Sequence, residues 1–181
     1  MAGEIISYNE MCRREGQSSL QRGMNYGLGG IYSVILMSVR RGAPYRDRWE
    51  ESGSVLIYEG HDEPRSAHSP EPKQMDQPQF TRLGKLTQNG LFQQAAHLSK
   101  VGERPPEKVK VYEKIIDGVW SYNGLFSLVD AWQESDRVRQ VFKFKLVALA
   151  EDEANQSPAQ PLAMASGDRR RVIPSAIKQL V

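Results

Sequence analysis

Three consecutive stretches between Val109 and Leu149 commit the second half of this chain to a sheet. Val109-Lys110-Val111-Tyr112-Glu113-Lys114-Ile115 alternates apolar and charged residues, the period of a strand with one buried face. Trp120 to Trp132 and Val138 to Leu149 follow as two further β segments, and Gln133-Glu134-Ser135-Asp136 between them reads as a hairpin turn. In the last segment Val138, Phe142, Phe144 and Leu146 fall on one face and Arg139, Lys143 and Lys145 on the other, with Val141 and Val147 interrupting.

The first half supplies partners for that sheet. Gly30 to Ser38 is β-branched and aromatic and reads as a largely buried strand, and Val55-Leu56-Ile57-Tyr58 between two glycines as another. Arg40 to Ser52, with Gly42, Pro44 and mixed charge, reads as a loop. Residues 61–82 carry four prolines and almost nothing apolar before Phe80, which predicts a long exposed loop of the kind that often has a function. Over 88–99 the spacing of Leu91, Phe92, Ala95, Ala96 and Leu98 predicts a helix, with Thr87 or Asn89 as N-cap and Gly102 beyond its end. Residues 1–23 are a lead-in, with Ile5, Ile6 and Met11 as anchors. The expected fold is α+β and mostly β: a strongly curved, mostly antiparallel sheet or barrel over 24–150, with one main helix beside it. An acidic, then Pro/Ala/Ser/Gln-rich stretch over 151–170 reads as a linker.

At 181 residues the chain suits one domain with tails. A net charge of +2 gives only weak support for a polyanionic partner. The single cysteine, Cys12, excludes an internal disulfide and any zinc site needing two thiolates, and His61, His68 and His97 lack the spacing of metal ligands. These residues are expected to have no chemical role, and neither metal nor cofactor is expected. No apolar run is long enough to span a membrane and no signal peptide opens the chain, so the cytoplasm is the expected compartment. A nucleophile elbow and a P-loop are both missing, and Gly27-Leu28-Gly29-Gly30 leads into a strand rather than following one into a helix. No catalytic centre is expected in this chain.

Four motifs, in order over roughly 30–149, resemble the SRA domain, also called YDG. They are Gly30-Ile31-Tyr32-Ser33-Val34-Ile35-Leu36; Tyr45-Arg46-Asp47 leading through Gly53 to Val55-Leu56-Ile57-Tyr58-Glu59-Gly60; Lys85-Leu86-Thr87-Gln88-Asn89-Gly90-Leu91; and Tyr122-Asn123-Gly124-Leu125-Phe126 followed by Val129 and Trp132. The family's signature Asp is Asn123 here, and its acidic run is replaced by Asp47-Arg48-Trp49-Glu50-Glu51. The resemblance implies a PUA-like β-barrel or curved sheet that reads 5-methylcytosine or 5-hydroxymethylcytosine in double-stranded DNA by flipping the base into an aromatic pocket.

By the same resemblance Tyr45 and Tyr58 would sandwich the base, and Asp47 would accept from its exocyclic N4 amine. Backbone around Met37-Ser38 and Glu59-Gly60 would line the other edge. Loops carrying Arg22, Asn25 and Tyr26 on one side and Arg65, Lys73 and Arg82 on the other would hold phosphates and fill the gap in the duplex. Residues 171–181 resemble the segment that opens an HNH nuclease in bacterial SRA–HNH fusions, which implies a modification-dependent restriction enzyme and is compatible with a homodimer through that nuclease domain.

Two other readings stay open. One is a PUA-like barrel that binds RNA or a protein without base flipping. The other is an enzyme on a nucleobase or sugar, with Asp47 and Glu50 or Glu51 as acid and base. Trp120, Tyr122 and Trp132 are read as packing residues.

Overall fold

The structure, a computed structural model, describes residues 3–150. The expected linker and the nuclease-like segment at 171–181 lie outside the described residues. In chain order the elements are β1 (Glu4–Ser7), α1 (Tyr8–Arg14), β2 (Met24–Asn25), β3 (Ser33–Met37), β4 (Arg48–Glu50), β5 (Val55–Glu59), α2 (Gln88–Lys100), β6 (Lys108–Ile116), β7 (Val119–Ser135) and β8 (Gln140–Ala148). The strands form one open, curved, mixed sheet in the order β2-β3-β6-β7-β8-β5-β4, with β1 added to β7. Every pairing is antiparallel except β3 with β6. That pair is parallel because the chain between them makes a long crossover through β4, β5 and α2.

The long strand β7 is the spine. Its first part pairs with β1 and β6 and its second with β8, and its pairings carry three register shifts, opposite Val111/Tyr112 and Lys114/Ile116 and at Leu128/Asp130. The first shift falls on Tyr122-Asn123-Gly124, where Gly124 takes a φ of 101°. A bulge there lets one strand serve two directions of the sheet. The Asn123 amide ties the bend to β6 by donating to Glu113 Oε2 at 2.9 Å.

Helix α2 starts where expected. Thr87 caps it by accepting from Gly90 N at 3.3 Å, and Phe92, Ala95 and Ala96 are buried on the side facing the sheet. Position 90 must be glycine, since a Cβ there would stand 2.4 Å from Gln79 O. The main core gathers Met24, Ile35, Leu56, Phe92, Phe126 and Phe144, among others, between helix and sheet. Among the described residues, no helix is long and apolar enough to cross a membrane.

Several sequence expectations shift. The folded unit does not begin at 24: β1 is hydrogen-bonded to β7, and Ile6, Met11, Cys12 and Leu20 form a second core with Val34 and Tyr112. Buried Glu15 anchors this lead-in, pairing with Lys110 at 3.1 Å and accepting from the Tyr112 hydroxyl. The 40–52 loop contains β4, which pairs with β5 and turns Trp49 against the core. The first predicted strand starts at Ser33 rather than Gly30; Ile31 is exposed after a short 3-10 turn.

The β7–β8 turn lies at 136–139, not 133–136. There Asp136 Oδ1 accepts from the Val138 and Arg139 amides, which leaves Val138 exposed. In β8, Val141 and Lys143 are buried as well as Phe142 and Phe144, so the charged face is not a solvent face. Nor is the 61–82 loop wholly exposed. Buried Gln77 bridges Gly60 O and the Phe142 amide, and Arg139 donates to Pro72 O and Met75 O.

Candidate functional site

The ends of β3 and β5 are joined by a side chain rather than by strand pairing. Asp47, just before β4, accepts from Ser38 N with one carboxylate oxygen (3.1 Å) and from Glu59 N with the other (3.0 Å). Burial pushes its pKa up to about 6, against the pull of these two amides; the nearby Glu59 charge adds to the rise and Lys143 opposes it. At neutral pH it is still an acceptor. Each oxygen keeps a lone pair beyond the one its amide uses, so Asp47 has acceptor capacity left.

Asp47 faces a cavity of about 620 Å3 whose wall includes Met37, Ser38, Tyr45 and His61. Arg22, Arg40, Arg41 and Lys114 also line it. Arg40 and Lys114 share the exposed carboxylate of Asp117, at 3.5 and 2.7 Å. One half-buried acceptor inside a cationic surround suits an anionic molecule that presents a hydrogen-bond donor inward.

Tyr45 is half-buried and covered on two sides. His61 stacks on it with ring centroids 4.5 Å apart and planes 8° from parallel, and Lys73 Nζ lies 4.1 Å from the ring centroid. Lys73 is also held by Pro44 O at 2.5 Å and Asp62 at 2.8 Å. The Tyr45 hydroxyl accepts from Asp62 N at 3.3 Å, and burial raises its pKa.

Tyr58 is placed differently from the sequence expectation. It is 1% exposed and belongs to the main core. Its hydroxyl reaches His61 Nε2 at 2.8 Å, and its ring centroid is 6.0 Å from that of His61. Tyr45 and Tyr58 are therefore not the two bare faces of one slot, because the imidazole stands between them. The cause is the turn after β5, which folds His61 back over the tyrosine three residues earlier. Burial pushes the Tyr58 phenol well above its ordinary range and the His61 imidazole down to about 4, so His61 is neutral at pH 7.

Nor do Glu59 and Gly60 line the cavity that holds Tyr45. Glu59 points to the opposite face of β5, into a buried ion pair with Lys143 at 2.8 Å. Gly60 is packed under Gln77, Asn89 and Phe142, so closely that a Cβ would meet the two amide oxygens at 2.7 Å. Met37 and Ser38 do border the cavity.

The loop residues divide. Arg22 borders the main cavity and a neighbouring one of about 540 Å3, and Arg82 borders the second. Asn25 donates to Arg22 O, and Tyr26 packs edge-on against Phe92. Arg65 donates to Pro70 O within its own loop. Lys73 serves Tyr45 and Asp62 rather than a loop tip. Among the described residues, no group of three or more His, Cys, Asp or Glu is placed to hold a metal ion.

The sequence reading missed His61, Arg40, Arg41, Lys114 and the turn at 80–86. In that turn Phe80 pairs with Leu86, Thr81 N donates to Lys85 O at 2.7 Å, and Leu83 projects with 87% of its surface exposed. The Phe80-Thr81-Arg82-Leu83-Gly84-Lys85 string, with two apolar residues among cations and a turn glycine, carried the signal for it. Nothing local marks His61.

No family model matches the chain, and no curated protein matches it. Among solved structures it is similar to the SRA domain of SUVH5 in complex with hemimethylated CG DNA, with a TM-score of 0.55 and 22% identity over 88% of this chain and 92% of that one. The same domain bound to fully hydroxymethylated CG DNA matches with a TM-score of 0.55 and 23% identity over 88% and 93%. KRYPTONITE in complex with mCHH DNA, an H3 peptide and SAH matches with a TM-score of 0.52 and 16% identity over 87% of this chain and 32% of that one. The chain has the SRA fold, with its flanking helices.

Proposed function

We propose that this chain binds double-stranded DNA and takes one extruded 5-methylcytosine or 5-hydroxymethylcytosine into the cavity beside Tyr45 and Asp47. The observation that carries this reading is Asp47: a carboxylate set by two backbone amides that keeps acceptor capacity and borders a cavity with a cationic lining. The N4 amine of cytosine supplies the donor such a group needs, whereas thymine would set a carbonyl against it. The shared fold supports the same reading, since SUVH5 SRA domains of that fold are described in complex with methylated and hydroxymethylated DNA.

Extrusion costs a few kcal/mol, which stacking and the edge contacts offset. Arg22, Arg40, Arg41 and Lys114 hold the phosphates that flank the extruded nucleotide. The turn at 80–86 enters the duplex, with Leu83 as an apolar wedge and Arg82 and Lys85 beside it on the backbone. The 5-substituent lies against the cavity wall at Met37-Ser38, where the Met37 side chain itself is buried in the core. One buried methyl contributes about 0.8 kcal/mol, a few-fold in affinity, so discrimination from plain cytosine depends on how tightly that wall closes.

The finer reading adds an HNH nuclease after residue 181 in a bacterial restriction enzyme, dimeric through that domain. It rests on the resemblance of 171–181 alone. A fluorescence anisotropy titration with two short duplexes differing only in one 5-methylcytosine tests the reader itself. The modified duplex binds several-fold tighter, and Tyr45→Ala abolishes the difference. Equal affinity for the two overturns the proposal, and tighter binding to single-stranded RNA than to either duplex replaces it with the RNA-binding alternative.

A further inference from the structure

The ring that covers the inner face of Tyr45 is itself a planar heteroaromatic of about the kind the site is read to accept. His61 lies 4.5 Å from Tyr45 at 8°, and its Nε2 is 2.8 Å from the Tyr58 hydroxyl. The opposite side of Tyr45 is taken by Lys73 at 4.1 Å. A base can therefore stack on Tyr45 only where one of these two now sits. Lys73 is fastened three ways, by the Tyr45 ring, by Pro44 O at 2.5 Å and by Asp62 at 2.8 Å. The His61 side chain has the stack and one hydrogen bond.

The rest of the residue is built to stay put while the ring moves. Asn89 grips its backbone from both sides, accepting from His61 N at 2.9 Å and donating to His61 O at 2.8 Å. Position 23 is glycine beneath the ring, where a Cβ would come within 2.4 Å of His61 Cε1. His61 also borders the second cavity, of about 540 Å3, which offers the imidazole somewhere to go.

We propose that His61 is a displaceable plug: its imidazole holds the place of the extruded base between Tyr45 and Tyr58 and turns about its own side-chain bonds into the neighbouring cavity when a base enters. This rests on the base-reading function proposed above. Because the plug must leave whatever base arrives, it lowers the affinity for all of them by one factor and leaves the ratio between modified and plain cytosine unchanged. It thus sets a threshold, so that a base stacking no better than an imidazole does not stay.

The test is His61→Ala, with the two duplexes above and Tyr45→Ala as reference, alongside side-chain NMR of the wild-type His61 ring during titration with the modified duplex. The plug predicts that His61→Ala binds the modified duplex roughly ten-fold tighter, the stack and hydrogen bond no longer having to be broken. It also predicts that the wild-type imidazole resonances lose the Tyr45 ring-current shift on saturation, a readout independent of whether the variant folds. The ratio between the two duplexes is the same in wild type and in His61→Ala, and a preference that appears only in His61→Ala overturns the plug. If His61→Ala binds no tighter, or the wild-type ring keeps its shift while modified DNA is bound and Tyr45→Ala still fails, His61 is a fixed wall; the plug is overturned and the reader stands. If neither wild type nor His61→Ala distinguishes the duplexes, the reader reading fails and the plug falls with it.

Discussion

Lys143 Nζ lies 2.8 Å from Glu59 Oε2, with the two side chains 3% and 5% exposed. The pair joins β8 to the last residue of β5, and Arg46 N adds a hydrogen bond to the same oxygen at 3.2 Å. It therefore positions the residues that follow Glu59, through which the chain reaches His61.

Removing one partner leaves the other charge buried. Lys143→Met should cost about 3–5 kcal/mol of stability, toward the lower end because Arg139 approaches Glu59 at 3.9 Å. The double variant Glu59→Gln/Lys143→Met should lose less than the sum of the two single variants. Urea denaturation of the three proteins measures both.

Recognition should separate from folding at Tyr45. Stacking on an aromatic is worth about 1–3 kcal/mol per base, so Tyr45→Ala should weaken binding of a modified duplex by roughly 5- to 150-fold. Tyr45→Phe, which keeps the ring and loses only the hydroxyl that accepts from Asp62 N, should retain most of the affinity. Anisotropy titrations of the two variants give the ratio.

The pH dependence of stability carries two opposing slopes. His61 has its pKa lowered from 6.5 to about 4, so the unfolded chain binds the proton more readily and stability falls as pH drops from 6.5 toward 4. Asp47 has its pKa raised from 3.8 to about 6, so its contribution is full below 3.8 and is lost as pH rises through 6. Between pH 4 and 6 these two offset one another in the wild type. His61→Ala should expose the Asp47 slope, with stability falling as pH rises across that window; Asp47→Asn should expose the reverse. Denaturation midpoints at several pH values check the signs. The charges nearest His61 that bias its titration are those of Asp62, Lys73 and Glu59, and substitutions there would move the window.

Leu83 and the cations should act on binding alone. Leu83 is 87% exposed, so Leu83→Ala should leave the unfolding midpoint unchanged while weakening the modified duplex more than the plain one. Arg22→Ala and Arg41→Ala should weaken both duplexes alike, and each phosphate deprived of its cation should reduce the slope of log affinity against log salt by about 1. Titrations at several salt concentrations distinguish the two patterns.

Much of the architecture was readable because it depends on neighbours in the chain. The alternation in Val109–Ile115, the apolar run at Val55–Tyr58 and the Thr87 cap before Phe92, Ala95 and Ala96 are local patterns, and each became the element expected. The strands missed, β1, β2 and β4, are too short to show a period; β1 exists because β7 pairs with it, β2 because β3 does and β4 because β5 does. The candidate site residues came instead from the resemblance of the motifs. Asp47, Tyr45, Met37 and Ser38 were named from motif order and do border one cavity.

The amino-acid order alone determined the longer strands and the main helix, since local periodicity and turn chemistry act within a few residues, and the resemblance of its motifs pointed to the loop with Tyr45 and Asp47. Only the tertiary structure decided that Tyr58 faces the core, that Glu59 turns away to Lys143, and that His61 folds back onto Tyr45. Those outcomes depend on how β5 is registered against β8 and on where Asn89 of α2 grips the loop, contacts between residues far apart in the chain.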